Sequence, residues 1–395
     1  MIKRLGKRSF GENADSPSGS RKLCFMGSLA DNKNGSKRFK PAHTLISAGT
    51  LGPANRGRLL QALYDIGPSS RVDLARVTGA SRATIGGIVQ PLIDQGILVE
   101  GEVVPADRAG GKPATKLWFS KEAKPICAVL LMHDRVRTCL VSLEGEIYAQ
   151  HHAGLAKGPT DASDAFRIVS ACVEETIASA HVPVLGIGVP ACIDQDTRAL
   201  LVGDRWFGQG RGQRNFAVVY IGESLDAALY VDGHLYRGTA GEAGKIGHTI
   251  VQLNGQMCQC GRRGCWETIA TLRWLRNEAQ ARGLPRPGSL NAGRLVSLAE
   301  NGIKGAKKLL QEYAFNISVG LANLQQLTAP NCIILHGDVV RGGKSMLDPI
   351  EARFQELTVN LADEEITLAL GDSEDVAGLR GAAGLVLCEL LNFII

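Results

Sequence analysis

The chain has 395 residues, of which 45% are hydrophobic and 21% charged, and its formal net charge is +5. This composition is that of a globular protein of about two or three domains, and it excludes a fibrous or wholly disordered chain. Residues 1–40 contain ten Lys and Arg against three Asp and Glu, which leaves 34 basic and 36 acidic residues in the rest of the chain. The excess positive charge therefore belongs to the N-terminal segment.

Neither membrane insertion nor secretion is indicated by the sequence. The apolar run LVLCELLNFII is too short to span a bilayer and contains Glu389. The basic N-terminus lacks an apolar signal core. Apart from one cluster, the ten cysteines are scattered singly through apolar segments, which fits a reducing compartment. We therefore expect a cytoplasmic, nucleoid-associated protein without a membrane partner.

Residues 1–50 are predicted to form a basic, disordered tail. They are rich in Gly, Ser, Asn, Lys and Arg and show no apolar periodicity. Such an arm could add a sequence-independent attraction to DNA. A solvated extension without a function explains the same composition, and no site is assigned to the tail.

Residues 51–120 show the pattern of a winged helix–turn–helix. A first amphipathic helix ends at a Gly-Pro pair, Ser70 begins a short second helix, and Ser81 begins a third after a glycine-containing turn. We expect Pro91 to kink or end this third helix near Val89. Apolar residues recur at helical spacing in the first and third helices: Leu59, Leu60, Leu63, Ile66, Ile85, Ile88, Val89, Leu92 and Ile93.

Two strand patterns, residues 97–99 and 117–119, follow the third helix and enclose a basic loop that would be the wing. We expect the module to bind double-stranded DNA, and the alternative is a module used only for protein contacts. In a major groove Arg can read guanine and Gln adenine, while other basic residues contact phosphates or enter the minor groove. The predicted DNA contacts are Arg71, Ser81, Arg82, Thr84, Gln90 and Lys112.

From Ile126 onwards, strand patterns alternate with helical patterns, which is typical of an α/β domain. The predicted elements include a buried strand that runs into a loop at Pro190 and a long helix over residues 305–327. A further amphipathic helix, a parallel strand and a closing helix are predicted at 162–180, 333–335 and 378–391.

The segment 248–267 contains a cluster of thiols and one imidazole. Cys258 and Cys260 are separated by one residue, Cys265 follows, and His248 lies within reach of the loop. Three thiolates and an imidazole suit Zn²⁺, and four protein ligands leave no open position, so we expect a structural zinc. The alternatives are ordinary buried thiols and a histidine that is only hydrogen-bonded.

This segment, Gly-His followed by C-x-C-G-x-x-G-C-x-E, resembles the zinc motif of the ROK family of bacterial sugar kinases and sugar-responsive repressors. The resemblance runs from about residue 55 to the C-terminus. It implies a two-lobed actin-like domain over residues 121–395, with a small lobe of about 121–197 plus 379–395 and a large lobe of about 198–378. The winged helix–turn–helix resembles that of the repressors, and the kinases lack it.

Two turns depart from the family's phosphate-binding pattern. The kinases have Asp-x-Gly-Gly-Thr and Gly-Thr-Gly-x-Gly-x-Gly, whose glycines let backbone N–H groups approach phosphates. Residues 131–135 and 222–228 carry side chains at these places, and Asp134, Glu223 and Asp226 would repel phosphate. We therefore expect no ATP binding and no enzymatic activity.

The sugar site implied by the resemblance is also altered. Lys245 replaces a carboxylate that would accept sugar hydroxyls, and the segment that follows Pro190 in the family is missing, so we expect an internal deletion. Asp196 could instead be a helix cap, and Glu267 could orient the zinc loop. The candidate effector-binding residues are Gln195, Asp196, Lys245, His248 and Glu267.

The sequence as a whole predicts a DNA-binding transcription regulator, a repressor of carbohydrate-related genes. We expect a homodimer or homotetramer with a zinc-stabilised domain that senses a small sugar-like or anionic effector. Two alternatives stay open: a sugar kinase fused to a helix–turn–helix, and a regulator that has lost sugar binding and responds to a protein partner.

Overall fold

The computed structural model describes residues 52–104, 114–120, 123–132, 134–155, 162–189, 196–359 and 366–390. The predicted tail, the wing loop with Lys112, and Gln195 with the deletion predicted after Pro190 lie outside these residues. Within the described segments, no helix combines the length and the apolar character needed to cross a membrane.

The described residues between 52 and 120 form three helices and a three-stranded antiparallel sheet in the order β1-β3-β2. Ser70 and Asp73 form a capping box at the start of the second helix, and Gly79 ends it with a φ of 68°. These are the local signals expected from the sequence. The elements are α1 (Gly52–Ile66), β1 (Ser69–Ser70), α2 (Arg71–Thr78), α3 (Arg82–Asp94), β2 (Leu98–Val104) and β3 (Ala114–Phe119).

The expected end of the third helix near Val89 is wrong, because α3 continues through Pro91 to Asp94, and the expected kink stays a prediction. Proline removes the N–H that would bond the carbonyl of Gly87, one turn earlier. Both Gly87 and Pro91 lie on the exposed side of the helix, where water can reach that carbonyl. The lost hydrogen bond is therefore not left in a dry core.

A four-stranded sheet in the order β6-β5-β4-β7 forms the small lobe. β4 and β5 pair as an antiparallel hairpin, and β7 is parallel to β4. A helix covers one face through apolar contacts that include Cys127, Leu140 and Cys172. The elements are β4 (Ile126–Leu131), β5 (Arg135–Val141), β6 (Ile147–Gly154), α4 (Ala162–Ala178) and β7 (Gly186–Gly188).

A five-stranded sheet in the order β10-β9-β8-β11-β12 forms the large lobe. The predicted long helix spans Ala306–Thr328 and packs with its neighbours over one face of this sheet. The strands are β8 (Phe216–Ile221), β9 (Leu225–Val231), β10 (His234–Tyr236), β11 (Cys332–Gly337) and β12 (Thr367–Leu370). Two further helices are α5 (Asp196–Phe207) and α11 (Glu374–Leu390). The helices that cover the sheet are α6 (Glu267–Ala270), α7 (Leu272–Ala281), α8 (Ala292–Glu300), α9 (Ala306–Thr328) and α10 (Gly343–Leu357).

The helices α5 and α11 pack against each other and against both sheets. Their backbones come close where Gly203 faces Gly381, because an added Cβ at Gly203 would lie 2.8 Å from the backbone nitrogen of Gly381. Absence of a side chain is what permits this approach. The pair therefore joins the two lobes, and of its two helices only α11 is predicted from the sequence.

The C-terminal end of α1 packs against the small lobe. Tyr64 is 3% exposed, and its ring centroid lies 4.2 Å from that of Phe119 and 5.0 Å from that of Trp206. Its hydroxyl donates to the backbone oxygen of Leu143, and the guanidinium of Arg211 donates to its backbone oxygen. Burial raises the pKa of Tyr64, so the hydroxyl remains a donor.

The core of the large lobe contains one close contact between a helix and an indole. Trp266 is fully buried and donates its ring N–H to the backbone oxygen of Asn316 at 2.7 Å. It lies against Gly320 of α9, where an added Cβ would be 2.1 Å from ring atoms. The indole therefore occupies the space that a side chain at 320 would need.

Gly320→Ala is expected to lower the free energy of unfolding by about 1–3 kcal/mol, because overlap with Trp266 outweighs the better helix propensity of alanine. Denaturant unfolding of the full chain measures the change. Gly87→Ala in α3, where an added Cβ meets nothing within 4 Å, is the control and should leave stability equal or slightly higher. A Gly320→Ala protein as stable as the wild type would contradict the packing argument.

Candidate functional site

The four predicted metal ligands come together in the structure. The ligand atoms of His248, Cys258, Cys260 and Cys265 all lie within 4.8 Å of one another. Cys258 Sγ is 3.6 Å from His248 Nδ1, and Cys260 Sγ is 3.6 Å from Cys265 Sγ. Donors bonded to one tetrahedral zinc at about 2.0–2.3 Å stand at about this separation. The cluster therefore has the donor set and the size of a metal site.

The backbone of the loop turns the sulfurs inward. Gly264 has a φ of 73°, and a Cβ there would lie 1.6 Å from the backbone oxygen of Gln252. Gly261 has a φ of 84° and donates its N–H to the oxygen of Cys258 at 3.0 Å. Glycine is the residue that adopts both conformations without strain. The spacing of these glycines between the cysteines is the signal that the sequence offered for the site.

Two of the thiols differ in acidity. The backbone N–H and the side chain of Arg262 lower the pKa of Cys260 to about 6, whereas burial raises the pKa of Cys258 to about 12. Cys258 also donates to Glu267 Oε1 at 3.0 Å. Because a metal binds the thiolate, loading the cluster must release the proton held by Cys258.

Glu267 lies against the metal cluster. Its Oε1 atom is 3.7 Å from His248 Nδ1 and accepts from Cys258. These contacts fit the alternative in which Glu267 orients the metal loop.

Lys245 and Asp226 are two further charged residues near this cluster. The Lys245 ammonium is 3.1 Å from Glu242 Oε1, and the lysine side chain is 49% exposed. Asp226 in β9 is half-buried, and burial raises its pKa, with Glu267 acting in the same direction and His248 and Lys245 opposing. The sequence motif places Asp226 in a phosphate turn, and its position near the candidate effector residues is apparent only from the structure.

The two remaining effector candidates are positioned differently. Asp196 is the first residue of α5, and Gln195 lies outside the described residues. Two residues further along α5, Arg198 is 4% exposed and donates to the backbone oxygens of Gly241 at 2.6 Å and Ala243 at 3.3 Å. Arg198 therefore holds the loop that leads to Lys245, and no local sequence pattern marks this contact because Arg198 and Gly241 are 43 residues apart.

In the turn at residues 222–225, the backbone N–H and carbonyl of Gly222 are both hydrogen-bonded within the protein. The N–H of Gly222 donates to Ser224 O at 3.0 Å, and the carbonyl of Gly222 accepts from Leu272 N at 2.8 Å. Arg276 pairs with Glu223 at the tip. The Gly222 N–H therefore does not point towards a ligand, and Glu223 already has a cationic partner.

Except for Lys112, the predicted DNA contacts lie on α2 and α3 or, in the case of Ser81, at the cap of α3. Arg82 is exposed and forms no ion pair with the other described residues. Ser81 caps α3: its Oγ accepts from Thr84 N at 3.1 Å and lies 2.8 Å from Thr84 Oγ1. Gln90 donates to Asp94 at 2.9 Å, and Arg71 pairs with Glu100 of β2. Arg82 is thus exposed, whereas the side chains of Gln90 and Arg71 bind neighbouring carboxylates.

Comparison with known proteins finds a repressor that is similar over most of the chain and a kinase that is similar over half of it. The xylose repressor of Bacillus subtilis is 22% identical over 376 residues, covering 86% of this chain and 96% of that protein. A Streptomyces coelicolor glucokinase is 30% identical over 218 residues, covering 50% of this chain and 68% of the enzyme.

A crystal structure described as a ROK family transcriptional regulator, homologue of the E. coli Mlc protein, has a TM-score of 0.69 and 21% identity. The match covers 87% of this chain and 97% of that one. This likeness shows that the lobes have the actin-like fold of ROK proteins. The ROK family model itself matches residues 186–389, which is more than half of the sequence. The chain therefore belongs to the ROK family.

Proposed function

We propose that the chain is a transcription repressor of sugar-related genes that binds double-stranded DNA through residues 52–120. The observation that carries the proposal is the order of α1–α3 and the β1-β3-β2 sheet ahead of the ROK lobes, an arrangement typical of a winged helix–turn–helix. The full-length similarity to a xylose repressor supports it. DNA binding would make the protein a homodimer or homotetramer at the nucleoid in the cytoplasm, since one short helix reads few base pairs.

Catalysis is the weaker alternative. Half of the chain is similar to a glucokinase, but the turn at 222–225 directs its first N–H inward and carries Glu223 at its tip. We infer that the ROK domain binds an effector rather than turning over ATP. Its candidate site comprises Asp196, Asp226, Lys245, His248 and Glu267.

We also infer that His248, Cys258, Cys260 and Cys265 hold one zinc ion, which fixes the loop and performs no chemistry. The sulfur and nitrogen donors and their separations of 3.6 Å support this metal. The thiol of Cys260 is the exposed member, and Cys258 and Cys265 are buried.

Arg82→Ala is expected to relax base preference and to cost about 1–3 kcal/mol at the preferred site, whereas Arg71→Ala should weaken all sequences alike. The effect of Arg71 should be the smaller, because Glu100 competes for its guanidinium. In-vitro selection followed by titration at fixed salt measures both. Arg353→Ala, on α10, is the control. Unchanged binding in both variants, or a footprint on one asymmetric half-site, would contradict the assignment.

The purified protein is expected to contain about one zinc per chain, and Cys260→Ser should lose most of it and lower the thermal stability. Elemental analysis and calorimetric unfolding give the two readouts. Cys332→Ala, which alters a buried thiol of β11 outside the loop, should retain the metal. Freshly prepared wild-type protein without zinc would remove this prediction.

Neutral hexoses are expected to bind weakly or not at all, and ATP should not be hydrolysed in their presence. Lys245→Glu, which restores a carboxylate acceptor, should raise hexose affinity about tenfold, the worth of one good hydrogen bond. Calorimetry with hexoses, amino sugars and sugar phosphates measures binding, and the S. coelicolor glucokinase is the positive control for turnover. A neutral hexose that binds with a micromolar Kd would contradict the expected weak binding. ATP hydrolysis in the presence of a sugar would contradict the expected absence of catalysis.

A further inference from the structure

The helix α5 contacts three parts of the molecule through side chains at its two ends. At its N-terminal end, Arg198 binds the backbone oxygens of Gly241 and Ala243, which precede Lys245 and the metal loop. Arg198 is 4% exposed, so this contact is made away from bulk water. Any shift of the loop at 241–243 therefore changes the environment of a buried guanidinium.

One turn before its end, α5 is tied to the large sheet. Asp204 Oδ2 lies 2.6 Å from His336 Nε2 of β11, and both side chains are at most 5% exposed. The His336 ring fits because Gly371 has no side chain, since a Cβ there would lie 2.2 Å from the ring. The C-terminal half of α5 therefore moves with the large lobe.

The next residue, Arg205, is tied to α1. Its two guanidinium nitrogens donate to the two carboxylate oxygens of Asp65 at 2.7 and 2.9 Å, and the side chains are 9% and 5% exposed. Asp65 also accepts from Gln61 Nε2 at 2.9 Å and from the N–H of Gly212 at 3.2 Å. A buried bidentate pair separates only by leaving two charges unpaired, so it holds one geometry or breaks outright.

From these contacts we infer that α5 couples the loop at 241–245, which leads to the candidate effector residue Lys245, to the predicted DNA-binding helices α2 and α3. The Arg205–Asp65 pair connects α5 to α1. Seven positions separate Arg198 from Arg205, so a rigid helix carries a displacement over about 10 Å. Asp65 lies in the last turn of α1, which packs against α2 and α3. This inference rests on the proposed function, because its output is the position of those helices.

The test is a double-mutant cycle in the full-length protein, using the duplex that the wild type selects from a random pool. Arg198→Gln frees the loop and is expected to change the operator Kd at least about fivefold and to speed hydrogen exchange in α1. The Asp65→Asn/Arg205→Gln protein lacks the ion pair between α5 and α1. In that protein, Arg198→Gln should change neither the operator Kd nor hydrogen exchange in α1 any further. Arg282→Gln, which removes ion pairs to Glu278 and Glu312 on α7 and α9, is the control and should change neither.

An Arg198→Gln effect that is as large in the Asp65→Asn/Arg205→Gln protein as in the wild type would overturn the coupling. If the double variant does not fold, Asp65→Asn alone replaces it, since asparagine keeps the shape and removes the charge. If the wild type selects no sequence, the proposed function fails. Hydrogen exchange in α1 then still decides whether Arg198 and Arg205 act on the same helix.

Discussion

The close crossing of α5 and α11 is the constraint on which the arrangement of the lobes depends. Gly203 and Gly381 let the two backbones approach, and the apolar residues around them contact both sheets. Larger residues at this crossing would push the helices apart and separate the small sheet from the large one. The effector candidates, the His336–Asp204 pair and the α1 contact all depend on where α5 lies.

Much of the fold could be predicted because its signals are local. The Ser70–Asp73 capping box, the cap at Ser81 and the apolar spacing of α9 each depend on residues a few positions apart. The metal cluster was predictable for the same reason, since three of its four ligands lie in one short loop. The continuation of α3 through Pro91 was not predictable, because it depends on which side of the helix faces water.

The contacts that could not be predicted join distant parts of the chain. Arg205 and Asp65 are 140 residues apart, and His336 and Asp204 are 132 apart. No local periodicity links the two members of either pair, because each contact depends on how distant elements pack. Asp226 was placed in a phosphate turn by its position in the motif, and only the three-dimensional arrangement brings it near His248 and Lys245.

The docking of α1 limits how freely the N-terminal module could be exchanged between regulators. Tyr64 and Asp65 end the first helix of that module, yet their partners Leu143, Trp206 and Arg205 belong to the small lobe and α5. A foreign module that replaces the residues up to Phe119 would remove Asp65 and Tyr64. The Arg205 guanidinium would then be buried without its carboxylate, and the Trp206 ring would lose an aromatic neighbour. An exchanged module therefore keeps these contacts only where its first helix ends in an aromatic residue followed by an acid.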